Sequence, residues 1–483
     1  MQYSNIFRVL GLLLIILSLT LIPPLLIEIW FRDGTYSAFY LSFLTTFILG
    51  LITWFPFRKK MNELRTRDGF LVVVLFWVLF CLVSAFPLYW SPHPNISFVD
   101  ALFESVSGIT TTGSTVLVGL DHMPHSILYY RQQLQFLGGI GIIILAVAVL
   151  PMLGVGGMQL FKAEFTGPSK DNKLTPRITE TAKAIWLIYV FLNLVCTLCY
   201  WLGGMDLFDA VCYAFATIAT GGFAPHDASM GFYHSPFLKI MASLFMFLGA
   251  VSFNLHYWAL GKQKFGVYSQ DPELWFYIKF LLISFGVICV THMVFGEHLK
   301  TNSLIVDTIF QLVSLATTTG FVSTDFSLWP SFIPILLLFC GVLGGCAGST
   351  SGGIKVIRLL LLQKQGAREI RRLIHPRGQY VIKVGGKPVS PRVIDAIWGF
   401  LAIYITTFSV LLLFMLLTEN DFYTAYTSLL GTISNSGPGL GKAAQNFSSF
   451  SDASKLILSI AMLMGRLEIF TIIVLFSPTF WRS

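Results

Sequence analysis

The chain has 483 residues, 55% of them hydrophobic and 12% charged, and a mean hydropathy of +0.73. A soluble domain carries about 25% charged residues, so the composition excludes an ordinary soluble enzyme and implies a polytopic membrane protein. The net charge of +8 is gathered in alternate connections, which sets orientation in a membrane and does not mark a nucleic-acid partner.

Apolar runs long enough to span a bilayer (~20 residues) occur at 7–29, 37–57, 70–91, 126–152, 184–205, 236–262, 275–296, 329–361, 393–417 and 455–477. The first is too long for a cleavable signal, and no small-residue cleavage site follows Trp30. Residues 1–69 read as a transmembrane hairpin. From residue 70 one unit recurs: span, short element, span. The short elements lie at 100–111, 209–219, 307–317 and 422–433. At 1.5 Å per residue each is about 16 Å long, roughly half the hydrocarbon thickness. Such a piece enters the membrane without crossing it. The predicted fold is therefore an all-α membrane protein with ten transmembrane helices and four re-entrant pore half-helices. Its four quasi-equivalent repeats cover 70–152, 153–262, 263–364 and 393–483, with a basic loop at 365–392.

Basic residues cluster in the connections 58–67, 153–183 and 358–392, and the connections holding the short elements are nearly free of Lys and Arg. The positive-inside rule puts the basic loops and both termini in the cytoplasm.

A spacing of thirteen residues marks the repeats: Asp100 to Gly113, Asp209 to Gly222, Asp307 to Gly320, Thr424 to Gly437. The aspartates are expected to cap the half-helices, whose negative dipole ends then point at the membrane centre and favour a cation. Small, mostly polar residues precede each glycine. One ring is Thr112, Gly221, Thr319 and Ser436; the ring before it is Thr111, Thr220, Thr318 and Asn435. Small side chains let backbone carbonyls replace the hydration shell of a cation, and each glycine supplies an unusual backbone angle.

The span 329–361 contains Gly344, Gly345, Gly348, Ser349, Thr350, Ser351, Gly352 and Gly353. So many glycines disfavour a helix. The stretch reads as an unwound gate below the filter, against a small-residue packing face. No phosphate loop is matched, because Val356 follows Lys355. Lys355 either closes the gate electrostatically or snorkels to the cytoplasm. Arg466 lies within the last span, near Glu468. It is either a positive pore barrier or half of a buried ion pair. Arg131 is expected to pair with Glu104 or Asp100, and Asn254 to hydrogen-bond the glycine-rich loop. The pair Cys196 and Cys199 has no accompanying metal-spaced residues and reads as packing.

These residues carry a resemblance. ESVSGITTTGSTVLVGLD at 104–121, YRQQLQFLGGIGIIILAVAVLP at 130–151, ATIATGGFAPHDASMG at 216–231, LGGCAGSTSGGIKVIR at 343–358, SGPGLG at 436–441 and GRLEIFT at 465–471 resemble the Trk/Ktr/HKT superfamily of cation transporters. The likeness is strongest to its bacterial TrkH/TrkG branch and covers essentially the whole chain. It implies a filter strand ending in glycine in each repeat. All-glycine filters in that family go with potassium preference, and here Gly113, Gly222, Gly320 and Gly437 are all present. It also implies gating by a loop in the third repeat, although the family usually has glycine where Ser351 stands. A homodimer and a cytosolic nucleotide-binding regulatory subunit of the TrkA type are implied as partners, with the basic loop a plausible docking surface.

The expected function is potassium uptake across the bacterial inner membrane, with potassium as cargo, no organic cofactor, no nucleic-acid partner and membrane lipid as surroundings. A proton- or sodium-coupled secondary transporter is the alternative. It would need a midplane carboxylate cluster or paired broken helices, and only one span reads as obviously broken. No catalytic constellation points to an enzyme.

Overall fold

A computed structural model describes residues 3–59, 66–144, 175–295, 301–419 and 421–482. The basic residues Lys60, Arg65, Lys162, Lys170 and Lys173, and the predicted span end at 145–152, lie outside these ranges.

The fold is helical, apart from a two-stranded antiparallel ribbon of Lys383–Val384 and Lys387–Pro388. Among the described residues six helical segments are long and apolar enough to cross a membrane, or eight if each of two bent pairs is one span. The other two predicted spans fall on His125–Ile144 and on Phe332–Leu343, which stops where the glycine run begins. The long helices Thr175–Leu202, Pro272–Phe295 and Pro391–Thr418 carry exposed apolar side chains such as Leu194, Leu282, Ile283 and Leu413, as a lipid-facing surface requires. Within 1–69, Gly11 lets Tyr3–Leu19 press against Tyr36–Trp54: a Cβ there would stand 2.8 Å from the Gly50 carbonyl oxygen. Small residues allow this close approach of helices.

The four short elements are helices Phe98–Ile109, Leu207–Ile218, Thr301–Ala316 and Phe422–Ile433. Apolar cores hold them upright. Phe103, Val106 and Ile109 share one with Leu429, Ile433, Leu458 and Met462. Tyr213, Ala216 and Ile218 pack with Phe245 and Met246, and Leu312, Leu315 and Ala316 with Leu337 and Leu430.

The expectation that only one span is broken is corrected. Pro236–Ala250 and Phe253–Gly261 meet at 96°, and Asp452–Arg466 and Phe470–Phe476 at 109°. No proline causes either bend; at the second the amides of Glu468 and Ile469 turn back to Gly465 O and Met464 O of their own helix. At the first bend the glycine-rich loop supplies the partners: Cys346 N–H donates to Ala250 O at 2.9 Å, and Phe253 N–H donates to Gly348 O at 3.0 Å. The helix after that loop, Val356–Ile374, runs well into the predicted basic loop.

Candidate ion-conducting site

Each of the four short helices ends in the same local structure. The N–H of Thr112 returns to Ser107 O at 2.8 Å and that of Thr111 to Gly108 O at 3.0 Å; Gly221 and Thr220, Thr319 and Thr318, and Ser436 and Asn435 repeat both bonds. This is a Schellman ending, which places one residue in the left-handed region, usually glycine. Here that residue is Thr111 (φ 51°), Thr220 (50°), Thr318 (57°) or Asn435 (52°). For a β-branched residue this is a genuine outlier, costing of order 1–3 kcal/mol. Three threonines hold this conformation at matched places, with Asn435, which adopts it readily, at the fourth, and the recurrence indicates that the site requires it. Gly113, Gly222, Gly320 and Gly437 follow, with φ of 85°, 82°, 84° and 90°.

The glycines close a ring. A Cβ on Gly113 would overlap the carbonyl oxygen of Gly221; on Gly222, that of Thr319; on Gly320, that of Ser436; on Gly437, that of Thr112. Each glycine therefore abuts the carbonyl preceding the glycine of the next repeat, and the fourth returns to the first. Only glycine fits both the angle and the space. The hydroxyls beside these carbonyls turn to one another: Thr110 with Thr112 at 2.7 Å, Thr317 with Thr319 at 2.8 Å, Ser434 with Ser436 at 3.1 Å.

Charged braces surround the ring. Buried Glu104 accepts Arg131 Nε at 2.7 Å and the N–H of Val116 at 3.0 Å. Gln311, nine residues before its glycine as Glu104 is, accepts the N–H of Ser323 at 3.4 Å. The aspartates do not cap as expected. The caps are Ser97, Asp206 and Asp421, which precede the free N–H groups directly. Asp100 instead pairs with Lys455 and Asp307 with Lys239, each at 2.6 Å. Asp209 accepts from His226 at 2.8 Å and from the Tyr233 hydroxyl. Neither lysine was singled out in the sequence, where each reads as one charge at the edge of an apolar run. Outside the ring is a cavity of about 650 Å³ lined by all four ring glycines, Arg131, His226, Asp227 and Asp325.

The glycine-rich loop lies directly on the other side. Thr350 Oγ1 donates to Ile218 O at 2.9 Å, Ser351 Oγ to Thr317 O at 2.7 Å, and Gly353 N–H to Ser434 O at 2.9 Å. It thus touches the C-terminal ends of the second, third and fourth of the short helices. Gly352 N–H also takes the left-handed Thr318 as acceptor at 2.6 Å, and Lys355 Nζ donates to Ser351 O. Glu273 Oε1 holds the loop from behind, accepting Ala347 N–H at 2.8 Å and Ile357 N–H at 3.1 Å. The expected side-chain bond from Asn254 is not formed; the neighbouring Phe253 backbone makes it instead.

Arg466 ends the helix Asp452–Arg466 and donates from Nη1 to Thr350 O at 2.9 Å. Its Nε and Nη2 are buried and have no partner among the described residues. Among the described residues no carboxylate from another helix pairs with Arg466, and the nearby Glu468 pairs with Arg358 at 2.6 Å. The seven cysteines are free thiols, and among the described residues no group of three or more His, Cys, Asp or Glu could hold a metal.

A four-part ring of glycines and carbonyls, helix ends facing it and a loop beneath it define a membrane cation transporter. The chain belongs to the TrkH family of cation transport proteins, whose model matches residues 35–483. It is 49% identical to the Trk system potassium uptake protein TrkH of Escherichia coli strain K12, over all of both chains. It is 41% identical to the Trk system potassium uptake protein TrkG of that strain, over 98% of this chain and 97% of the relative. The crystal structure of the potassium transporter TrkH from Vibrio parahaemolyticus matches all of both chains at a TM-score of 0.93 and 45% identity.

Proposed function

We propose that this chain takes up potassium across the bacterial inner membrane through the ring formed by Thr112, Gly221, Thr319 and Ser436 with their following glycines. The observation that carries this reading is the closed cycle in which each glycine abuts the next repeat's carbonyl. The potassium transport named for relatives at 49% and 41% identity supports the choice of ion. In this reading ten spans and four half-helices form the four repeats, with both termini cytoplasmic. Ions shed water at the carbonyls and are driven inward by the membrane potential, ~2.3 kcal/mol per charge per 100 mV.

Loop 344–353, with Lys355 and Arg466, is the closed gate in this account. A homodimer joined by a cytosolic nucleotide-binding subunit would move it through the helix Val356–Ile374, whose exposed face carries Arg371 and Arg372.

A coupled secondary transporter is the second reading, favoured by the two bent helix pairs. Broken helices mark such transporters. Potassium uptake into liposomes, measured with proton and sodium gradients abolished, separates the two. The channel-like reading expects uptake to persist, and coupling expects it to stop.

A further inference from the structure

The second repeat lacks what the other three share. Repeats one, three and four place a hydroxyl pair beside the filter carbonyl; repeat two has Ala219 and Gly221 at those places. A foreign side chain takes the vacated space. Gln135, from the helix His125–Ile144 of repeat one, is wholly buried. Its Nε2 donates to Gly221 O at 2.6 Å, and its Oε1 accepts Phe223 N–H at 3.1 Å. The amide orientation is fixed because Phe223 N–H requires an acceptor there. A Cβ on Gly221 would overlap the Gln135 carboxamide, so the two positions exclude each other's alternatives. The nearby Gly139 also lies close to this strand: a Cβ there would stand 3.1 Å from Cβ of Ala219.

The corresponding helices of the other repeats carry no such amide. Gly138, Gly249, Gly341 and Gly465 each face a carbonyl near the end of their own pore helix. Three residues before these glycines stand Gln135, Met246, Leu338 and Met462. Only the helix beside the strand that lacks the hydroxyl pair bears a hydrogen-bonding amide at that position.

We propose that Gln135 is a positioning residue that sets ion selectivity: it fills the space that the hydroxyl pairs fill in the other repeats and holds the Gly221 carbonyl by a direct hydrogen bond. This rests on the ring being the selectivity filter. A carbonyl whose brace is removed relaxes toward the geometry of a smaller or more hydrated ion. One lost hydrogen bond should cost roughly five- to tenfold in discrimination. Because Gly221 O already accepts from Gln135, this strand depends on a side chain outside its own repeat.

The test uses the full-length protein in liposomes, with the potassium-to-sodium permeability ratio read from reversal potentials. Gln135→Met copies the side chain at two equivalent positions and keeps the volume; it should lower the ratio roughly tenfold with unchanged thermal stability and elution. Gly221→Ser alone should do worse. Gln135→Ala with Ala219→Ser and Gly221→Ser rebuilds the serine pair of repeat four and should restore the ratio to within about twofold. Gly113→Ser is the control for the ring itself. If Gly113→Ser lowers the ratio and Gln135→Met does not, Gln135 is packing only and the proposal is overturned while the filter stands. If neither changes it, the filter assignment fails. If Gln135→Met does not assemble, Gln135 is a folding residue and the proposal is likewise overturned.

Discussion

Lys455 Nζ lies 2.6 Å from Asp100 Oδ1, joining the short helix Phe98–Ile109 to the helix Asp452–Arg466. Lys239 and Asp307 make the same bond at 2.6 Å between the second and third repeats. Both lysines are the fourth residue of their helices, Pro236–Ala250 and Asp452–Arg466. The fold therefore carries two ion-pair clamps at alternate joints of a four-part ring.

Lys455→Met should destabilise the protein by about 2–4 kcal/mol, between the values for exposed and fully buried pairs. Lys239→Met should do the same, and the two losses should add, because the pairs share no partner. Thermal unfolding of the single and double variants in detergent checks this. A double variant no worse than either single one would show that the clamps are not independent.

Replacing Gly113 tests the ring directly. Its φ of 85° disfavours any side chain, and a Cβ would overlap the Gly221 carbonyl. Gly113→Ser should weaken potassium preference over sodium by roughly an order of magnitude, the scale of one displaced polar contact. Gly320→Ser should behave alike. Unaltered selectivity in a folded Gly113→Ser protein would exclude this register of the filter.

Arg466 holds the loop at Thr350 O and strands no carboxylate if removed. Arg466→Ala should therefore cost less than about 1.5 kcal/mol of stability while raising ion conductance. A positive charge ~6 Å from a cation opposes it by about 3 kcal/mol at an effective dielectric constant of 20. Single-channel conductance together with the melting temperature reads both. A large stability loss with conductance unchanged would make Arg466 a structural support.

His226, in the connection between the helices Leu207–Ile218 and Pro236–Ala250, bridges two carboxylates, Asp121 at 2.5 Å and Asp209 at 2.8 Å. Burial alone would lower its pKa, but hydrogen bonds and charge from Asp209 and Asp121 outweigh it and raise it. A raised histidine contributes stability that is full below its unfolded value, about 6.5, and is lost as pH rises through the folded value. Melting temperature should fall over that alkaline window, and His226→Gln should remove the step. A step that persists in the variant would assign the titration to another group.

The repeat pattern was legible because it is a property of spacing: thirteen residues to each glycine locate four half-helices without any tertiary knowledge. The ring's closure follows from those glycines. What escaped the sequence depends on distant partners. The aspartates read as caps because they lie near helix starts, but Ser97 and Asp206 stand closer to the free amides. The bends after Ala250 and Arg466 carry no proline or glycine run of their own. The first exists because the glycine-rich loop supplies backbone partners. Asn254 was chosen for its amide, yet the neighbouring Phe253 backbone makes the bond. Gln135 gave one usable signal, an amide where the equivalent helices carry Met or Leu.

The most direct measurement of the central claim is the reversal potential of the full-length protein in a planar bilayer, with potassium on one side and sodium on the other. The account predicts a potential that follows the potassium gradient, about 59 mV per tenfold change, in the wild type, and a clear loss of that slope in Gly113→Ser. A wild-type potential indifferent to which side holds potassium, or identical in the two proteins, would contradict it.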